Sequence, residues 1–279
     1  MASIRIDQAE GLRRMVAKPA PRVLTFLSAT ASNEKSATLL NLGASLARTG
    51  SGVLLIDACA TTRGVGAGLD RVQGGTLLQA ARSERRLADV VLAMPQGFRL
   101  AVMARGVLNE FEREDMAALF GRLSAANDIV LVDAELDAAN ALPLAAMGEG
   151  EIVVQVEDSA ASITAAYALI KRVSEHYGRR PVSILVTGAG VDRAGMIYKN
   201  IAAAASRYLA LELQSIGSVP PDEHLARATR LGRTVIDAFP LAGASVAFRD
   251  LAGRFSRCTM QPGGRRSALP ASATAPLGA

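Results

Sequence analysis

Apolar runs rich in Val, Ile and Leu alternate with helix-like segments along most of this 279-residue chain. Several runs are continuously apolar, which is typical of strands buried on both faces. The candidate strands are Val23–Ser28, Val53–Asp57, Leu100–Met103, Ile129–Asp133, Ile152–Val156, Ser183–Val186 and Ser215–Val219. Helical patterns are at 36–49, 75–82, 110–125, 160–177, 194–209, 222–231 and 243–256. Repeated strand–helix units predict an α/β fold, with a mainly parallel β-sheet flanked by helices on both faces.

The composition agrees with such a layered core. Hydrophobic residues make up 50% of the chain but aromatic residues only 4%, so Ala, Leu and Val must fill most of the interior. The two cysteines, Cys59 and Cys258, provide no disulfide framework, which fits a reducing cytosol. No signal peptide and no apolar run long enough to span a bilayer are visible, so we expect a cytoplasmic protein.

The chain divides into three predicted parts. Residues 1–20 form a short amphipathic segment and linker, closed by Pro19-Ala20-Pro21. Residues 22–257 form the α/β domain. Residues 258–279 are rich in Gly, Pro, Ser and Ala, a composition that predicts a disordered tail.

The loop after the first predicted strand has the frame of a phosphate-binding loop. An apolar strand is followed by a short polar loop, by Lys35-Ser36 and by a helical pattern. Such a loop needs glycines, because its backbone N–H groups must turn inward to hold phosphates. The loop contains other residues instead: Ala29, Ala31, Ser32 and Glu34. Glu34 would also bring a negative charge close to a polyphosphate.

Two further predicted strands end in an aspartate, Asp57 and Asp133. An apolar strand that ends in Asp is the Walker B pattern, in which the carboxylate binds a water molecule of Mg²⁺. Ligands of α/β proteins lie beyond the carboxyl ends of the strands, so we expect both aspartates near Lys35. An alternative is that the aspartates only cap or anchor the strand ends, and that Lys35-Ser36 is simply the first turn of a helix. Cys59 is interpreted as a small buried side chain.

Taken with these motifs, the chain resembles the MinD/ParA class of P-loop ATPases, and within it the flagellar-number regulators of the FlhG/FleN type. The resemblance covers nearly all of residues 4–256. Its most specific part is the segment Asp7-Gln8-Ala9-Glu10-Gly11-Leu12-Arg13-Arg14. Segments 162–171 and 217–222 also resemble stretches of that family.

The resemblance implies ATP and Mg²⁺ as ligands of the site. Lys35, Ser36, Thr30 and Asn33 would then contact the nucleotide, Ser36 and Asp133 would hold Mg²⁺, and Asp57 would orient the attacking water. The signature lysine of the family is replaced by Thr30, the second aspartate of its first switch by Cys59, and a glycine of its second switch by Glu135. These departures predict a degenerate site that binds ATP weakly and hydrolyses it slowly or not at all.

The N-terminal segment carries the other implied function. In the family, this segment inserts into the flagellar SRP-type GTPase FlhF and stimulates GTP hydrolysis. Asp7 would cap a short helix, and Ala9, Leu12 and Arg13 would share one helical face. Gln8 would help to order the catalytic water of the partner, and Arg13 and Arg14 would dock on an acidic surface. An ordinary packed helix is the alternative interpretation.

The preferred hypothesis is therefore a regulator of flagellar number and placement that stimulates FlhF through residues 7–14. A second hypothesis is an active ATPase switch that forms an ATP-dependent homodimer and cycles on the membrane. A third is a binding module that restrains a flagellar transcription activator. Flagellar C-ring proteins and peripheral contact with the inner membrane or the cell pole are further expectations, whereas direct binding of nucleic acid is not expected.

Overall fold

An eight-stranded sheet organises the part of the chain that the computed structural model describes, residues 20–61, 63–68 and 75–259. The strands lie in the spatial order β3-β4-β2-β5-β1-β6-β7-β8. Their bounds are β1 Arg22–Ser28, β2 Val53–Asp57, β3 Val91–Ala93, β4 Arg99–Val102, β5 Ile129–Asp133, β6 Glu151–Glu157, β7 Val182–Thr187 and β8 Leu213–Val219. All neighbouring strands are parallel except β3 and β4. The predicted α/β class is confirmed.

Helices cover both faces of this sheet. Their bounds are α1 Ser32–Arg48, α2 Leu77–Ala81, α3 Leu87–Val90, α4 Glu110–Ala125, α5 Ala160–Tyr177, α6 Val191–Leu209, α7 Glu223–Arg230, α8 Val235–Ala238 and α9 Gly243–Thr259. Short 3-10 turns lie at Val65–Gly68 and Ala145–Gly148. Buried side chains of α1 and α9 share one core cluster, and those of α4, α5 and α6 share the other. Among the described helices, none has both the length and the hydropathy needed to cross a lipid bilayer.

The alternation of side chains along each strand separates these two cores. In β5, Ile129 and Leu131 point to the α1 side, whereas Val130 and Val132 point to the α4 side. Successive side chains of a strand leave it on opposite faces, and both faces are covered here, so the whole strand must be apolar. The continuous apolar runs in the sequence follow from this double burial.

Helix α1 differs most from its prediction, because it begins at Ser32 rather than at residue 36. No glycine or proline separates Ser32 from Lys35, so nothing in the sequence prevents the first helical turn from including these residues. The residue before the helix, Ala31, provides no side-chain cap that could mark the boundary. Lys35 therefore lies in the first turn of α1 rather than in a loop.

Strand β3 and helices α3 and α8 were not predicted; each is only three or four residues long.

Strand register brings the predicted site together at the centre of the sheet. Asp57 of β2 pairs with Asp133 of β5, and Phe26 of β1 pairs with the same Asp133. The carboxyl ends of β1, β2 and β5 therefore form one edge, with the N-terminus of α1 beside it. The predicted partner-activating residues Asp7, Gln8, Ala9, Leu12, Arg13 and Arg14 lie outside the described residues.

Candidate functional site

The centre of the candidate site is an ion pair between Lys35 and Asp133. Lys35 Nζ lies 2.7 Å from Asp133 Oδ1. Lys35 is only 4% exposed and Asp133 is fully buried. Burial by itself lowers the pKa of Lys35, but the Asp133 carboxylate and its hydrogen bond bring this pKa above its usual value. The amine therefore stays charged and points into the protein.

The short 3-10 turn after β2 covers the aspartates at the ends of β2 and β5. The N–H of Val65 donates to Asp133 Oδ2 at 2.7 Å, and the N–H of Gly66 donates to Asp57 Oδ2 at 3.0 Å. Gly64 allows this close approach, since a Cβ built there would lie 1.9 Å from Asp57 Oδ1. Backbone amides thus occupy oxygens that would otherwise face a metal-bound water.

A second cation, Arg105, neutralises Asp57. Its Nη2 lies 3.1 Å from Asp57 Oδ2. Its Nη1 donates to the carbonyls of Cys59 at 3.3 Å and Thr61 at 3.4 Å. Arg105 follows β4 and therefore ties the segment after β2 to the neighbouring strand. Each strand-end carboxylate has its own side-chain cation in this arrangement.

Cys59 fills the space between these groups, as its interpretation as a small buried side chain predicts. The Nζ of Lys35 donates to its Sγ at 3.5 Å, and Sγ donates to Asp133 Oδ1 at 3.5 Å. Burial and the Asp133 charge raise the pKa of the Cys59 thiol far above its usual value, so the thiol is neutral. Ligand atoms of Asp57, Cys59 and Asp133 lie within 4.8 Å of one another. Lys35 and Arg105 already balance the two carboxylates, so this group gives no reason to propose a metal site.

Four backbone amides between the end of β1 and the first turn of α1 donate to acceptors within the chain. The N–H groups of Glu34 and Lys35 both donate to the carbonyl of Ala31 at 3.1 Å. The N–H of Ala29 donates to the Gln155 carbonyl at 3.0 Å, and the N–H of Thr30 donates to Ser28 Oγ at 3.0 Å. These amides follow the helix and the sheet instead of turning toward a shared centre. The geometry differs from the N–H nest that phosphates need.

The remaining predicted residues lie along the same loop and helix. The Thr30 hydroxyl is 2.7 Å from the Ser28 hydroxyl. Asn33 belongs to α1, although its side chain is outside the description, and Ser36 is partly buried one residue beyond Lys35. Burial and the nearby charge of Glu157 raise the pKa of Glu34, and its Oε2 is buried with no hydrogen-bond partner among the described residues.

A cavity of about 240 Å³ lies between this loop, the segment after β5 and α5. Its polar lining comes from Ser28, Thr30, Lys35, Arg63, Glu135 and Arg172. Sites for drug-sized ligands and cofactors usually measure roughly 300–1,000 Å³. The cavity is therefore small for a nucleotide.

In this arrangement the residues do not fit Mg-ATP. The lysine that would hold the phosphates is paired with Asp133, the N–H groups of Ala29, Thr30, Glu34 and Lys35 donate within the chain, and Glu34 adds negative charge. Arg105 and the turn at Gly64–Gly66 were not predicted as part of the site. The signals in the sequence were an arginine directly after an apolar strand and two glycines following the first strand-end aspartate.

Replacement of Lys35 tests the buried ion pair. We expect Lys35→Ala to lower the free energy of unfolding by about 3–5 kcal/mol, because it leaves the Asp133 carboxylate buried without its cation. Urea denaturation measures this change. Lys171→Ala is the control, because Lys171 forms an exposed pair with Glu175 and should contribute less than about 1 kcal/mol. Equal losses in the two variants would contradict the inward orientation of Lys35.

Replacement of Gly64 tests the turn that covers the aspartates. A methyl group there would collide with Asp57, so we expect Gly64→Ala to destabilise the protein and to speed hydrogen exchange at Val65 and Gly66. Gly121→Ala, in open space on α4, should instead raise stability by about 1 kcal/mol through helix propensity. Unchanged exchange at Val65 and Gly66 in the Gly64 variant would show that the turn does not depend on this close approach.

Comparison with known proteins agrees with the fold and with the family resemblance. No family model matches the chain. Antiactivator FleN of Pseudomonas aeruginosa is 28% identical over 224 residues, which cover 78% of this chain and 80% of that protein. The match therefore extends through most of both proteins.

Solved structures show the same architecture. A chain of the MinC:MinD cell division protein complex of Aquifex aeolicus superposes with a TM-score of 0.64 and 20% identity, covering 90% of this chain and 98% of that chain. The septum site-determining protein MinD of Pyrococcus horikoshii, complexed with Mg-ADP, gives a TM-score of 0.61 and 17% identity, covering 86% and 98%. A ParA family ATPase of Chlorobium tepidum gives 0.60 and 19%, covering 84% and 98%. The chain is therefore similar to FleN in sequence, and it has the fold of MinD and ParA proteins.

Proposed function

We propose that this protein regulates flagellar number and placement through contacts with other proteins, without a productive cycle of ATP hydrolysis. The similarity to FleN supports the regulatory role. The observation that supports the second part is the ion pair between Lys35 and Asp133, which directs inward the lysine that the resemblance implies in phosphate binding. In this reading, the fold of an ATPase serves as a scaffold.

The interaction free energies favour a scaffold over a site that binds nucleotide. A charge-assisted contact between a lysine and a phosphate contributes on the order of 1.5–3 kcal/mol. Breaking a buried pair by removing one partner costs about 3–5 kcal/mol, because a buried charge loses its partner. Turning Lys35 toward a nucleotide would therefore cost at least as much as the new contact contributes. Mg²⁺ bound near Asp133 would have to supply the missing binding free energy. It would also have to overcome the negative charges of Glu34 and Glu157.

Calorimetric titration with Mg-ATP and Mg-ADP tests the nucleotide part of the proposal. We expect no binding up to roughly 1 mM nucleotide, which corresponds to less than about 4 kcal/mol of binding free energy. Ser36→Ala is a suitable control, because it removes the hydroxyl implied in Mg²⁺ binding and leaves the ion pair in place. Micromolar binding that Ser36→Ala weakens would contradict the scaffold model.

Two protein contacts would carry the function. The relative FleN is named an antiactivator, so restraint of a transcription activator is one proposed role. The other is stimulation of FlhF by residues 7–14, supported by the sequence resemblance. This segment joins the body just before β1, at the amino end of a strand that is about 20 Å long. Its proposed action needs no ATP turnover in the body. Contacts with the flagellar C-ring, or with the inner membrane at the cell pole, are compatible additions to this role.

Substitution of Gln8 tests the stimulation of FlhF separately from the restraint of a transcription activator. We expect Gln8→Ala in the full chain to abolish stimulation of GTP hydrolysis by FlhF, because the amide is proposed to order the catalytic water. The rate of GTP hydrolysis by FlhF, with and without the regulator, is the measurement. Gln214→Ala, on the exposed surface of β8, is the matched control and should stimulate normally. Full stimulation by the Gln8 variant would refute the assigned role of this segment.

The second candidate function is an ATP-driven switch. It is favoured by the retention of Lys35, Ser36, Asp57 and Asp133, and by the strand register that pairs the two aspartates. Such a switch would dimerise only with Mg-ATP. Sedimentation of the protein with and without Mg-ATP distinguishes the two candidates, since a scaffold keeps the same mass in both conditions.

A further inference from the structure

Two large apolar side chains project into solvent between β4 and the first turn of α4. Val107 and Phe111 are each 81% exposed. Between them, Leu108 is buried and fixes the loop on the body. Single exposed apolar residues are common, but here Val107 on the loop and Phe111 on the first turn of α4 are both large, apolar and strongly exposed within four residues of sequence.

A cavity of about 320 Å³ opens beside this patch. Val107, Leu108 and Arg113 line one side of it. The other lining side chains are mainly apolar and include Met103, Ala104, Leu136, Leu142 and Pro143. Phe111 lies on the first turn of α4, two residues before Arg113, and is not itself part of the cavity lining. The cavity is large enough to take one or two apolar side chains from another molecule.

The charge around the patch is predominantly negative. Glu110, Glu112, Glu114 and Asp115 surround Phe111 in sequence, and Arg113 is the one cation in that stretch. Glu112 is bonded to Arg82, whereas Glu110, Glu114 and Asp115 are exposed. At the cavity wall Arg63 lies near Glu135, and Asp137 adds another acid. A partner that fits this surface needs basic groups around its apolar anchor.

We propose that the surface formed by Val107, Phe111, the acidic first turn of α4 and the adjacent cavity binds a basic amphipathic helix of another protein. An apolar side chain of that helix would enter the cavity, and its Lys or Arg residues would meet Glu110, Glu114 and Asp115. A second copy of this chain fits less well, because a symmetric contact would bring two acidic surfaces together. Nucleic acid is disfavoured by the same charge.

This surface shares structural elements with the buried ion pairs. The cavity wall includes Ala60, Thr61 and Arg63, which follow Asp57, and Glu135 and Leu136, which follow Asp133. Arg105 holds the carbonyl of Thr61 on one side and the Asp57 carboxylate on the other. A bound helix would therefore rest on the segments that Arg105 and Lys35 keep closed. The closed ion pairs thus keep the segments that form the cavity wall in place for the partner. This contact is separate from the proposed action of residues 7–14.

Fluorescence anisotropy with a designed probe tests the proposal. The probe is a labelled Leu/Lys amphipathic helix of about five turns, and its twin carries Glu in place of Lys. We expect the full-length protein to bind the basic probe at least tenfold more tightly than the acidic twin. Equal affinity for both twins, or no binding of the basic probe at roughly 1 mM, would overturn the proposal.

Variants of the protein locate the binding surface. Phe111→Ser, and separately Glu110→Lys combined with Glu114→Lys, should each weaken binding of the basic probe at least tenfold. Leu241→Ser is the control, since Leu241 is 91% exposed and lies outside this surface, and it should bind normally. Normal binding by the Phe111 variant would place the contact elsewhere and refute the assignment. Self-association of the parent protein that Phe111→Ser abolishes would also refute it, and would assign the surface to a second copy.

Discussion

The buried ion pair between Lys35 and Asp133 is the interaction on which the rest of the site depends. A carboxylate without solvent needs a cation and hydrogen-bond donors, and Asp133 receives both from within the chain, from Lys35 and from the N–H of Val65. Asp57 is satisfied in the same way by Arg105 and the N–H of Gly66. The strand-end aspartates of a P-loop fold can therefore persist with a structural role, which was the alternative interpretation of their sequence pattern.

The same pair explains why the loop after β1 tolerates residues other than glycine. When the lysine points inward, the loop has no phosphate to surround, and its amides can join the first turn of α1. Ala29, Ala31 and Glu34 then cause no conflict, because ordinary helical and extended conformations suit them. The altered loop and the inward lysine are thus two aspects of one arrangement, and together they support a role based on protein contacts.

The two proposed contacts use different parts of the chain. One is assigned to residues 7–14, whereas the other uses the cavity beside the carboxyl ends of β2, β4 and β5 and the first turn of α4. A regulator that brings two proteins together, or that acts on them independently, has use for such a separation.

The sequence by itself determined the fold class, the central strands and several helix boundaries. The predicted limits of helices α4 and α5 match the observed ones, and in the structure Asn109 with Glu112, and Ser159, provide side-chain caps where these helices begin. Helix α1 was predicted four residues too late because Ala31 gives no such signal. The continuous apolar runs that end in Asp57 and Asp133 also predicted that both aspartates would lie at one edge.

Only the tertiary structure decided how those aspartates are satisfied. Arg105 is 48 residues from Asp57 in sequence, and Lys35 is far from Asp133 along the chain, so no local pattern links either pair. Their contacts depend on the order β4-β2-β5-β1, which places α1 and the end of β4 on either side of the two carboxylates. A lysine at a helix start can point to a ligand or into the core. Its direction depends on how far the amine is buried and on which carboxylate nearby lacks another cation. Both are properties of the folded chain.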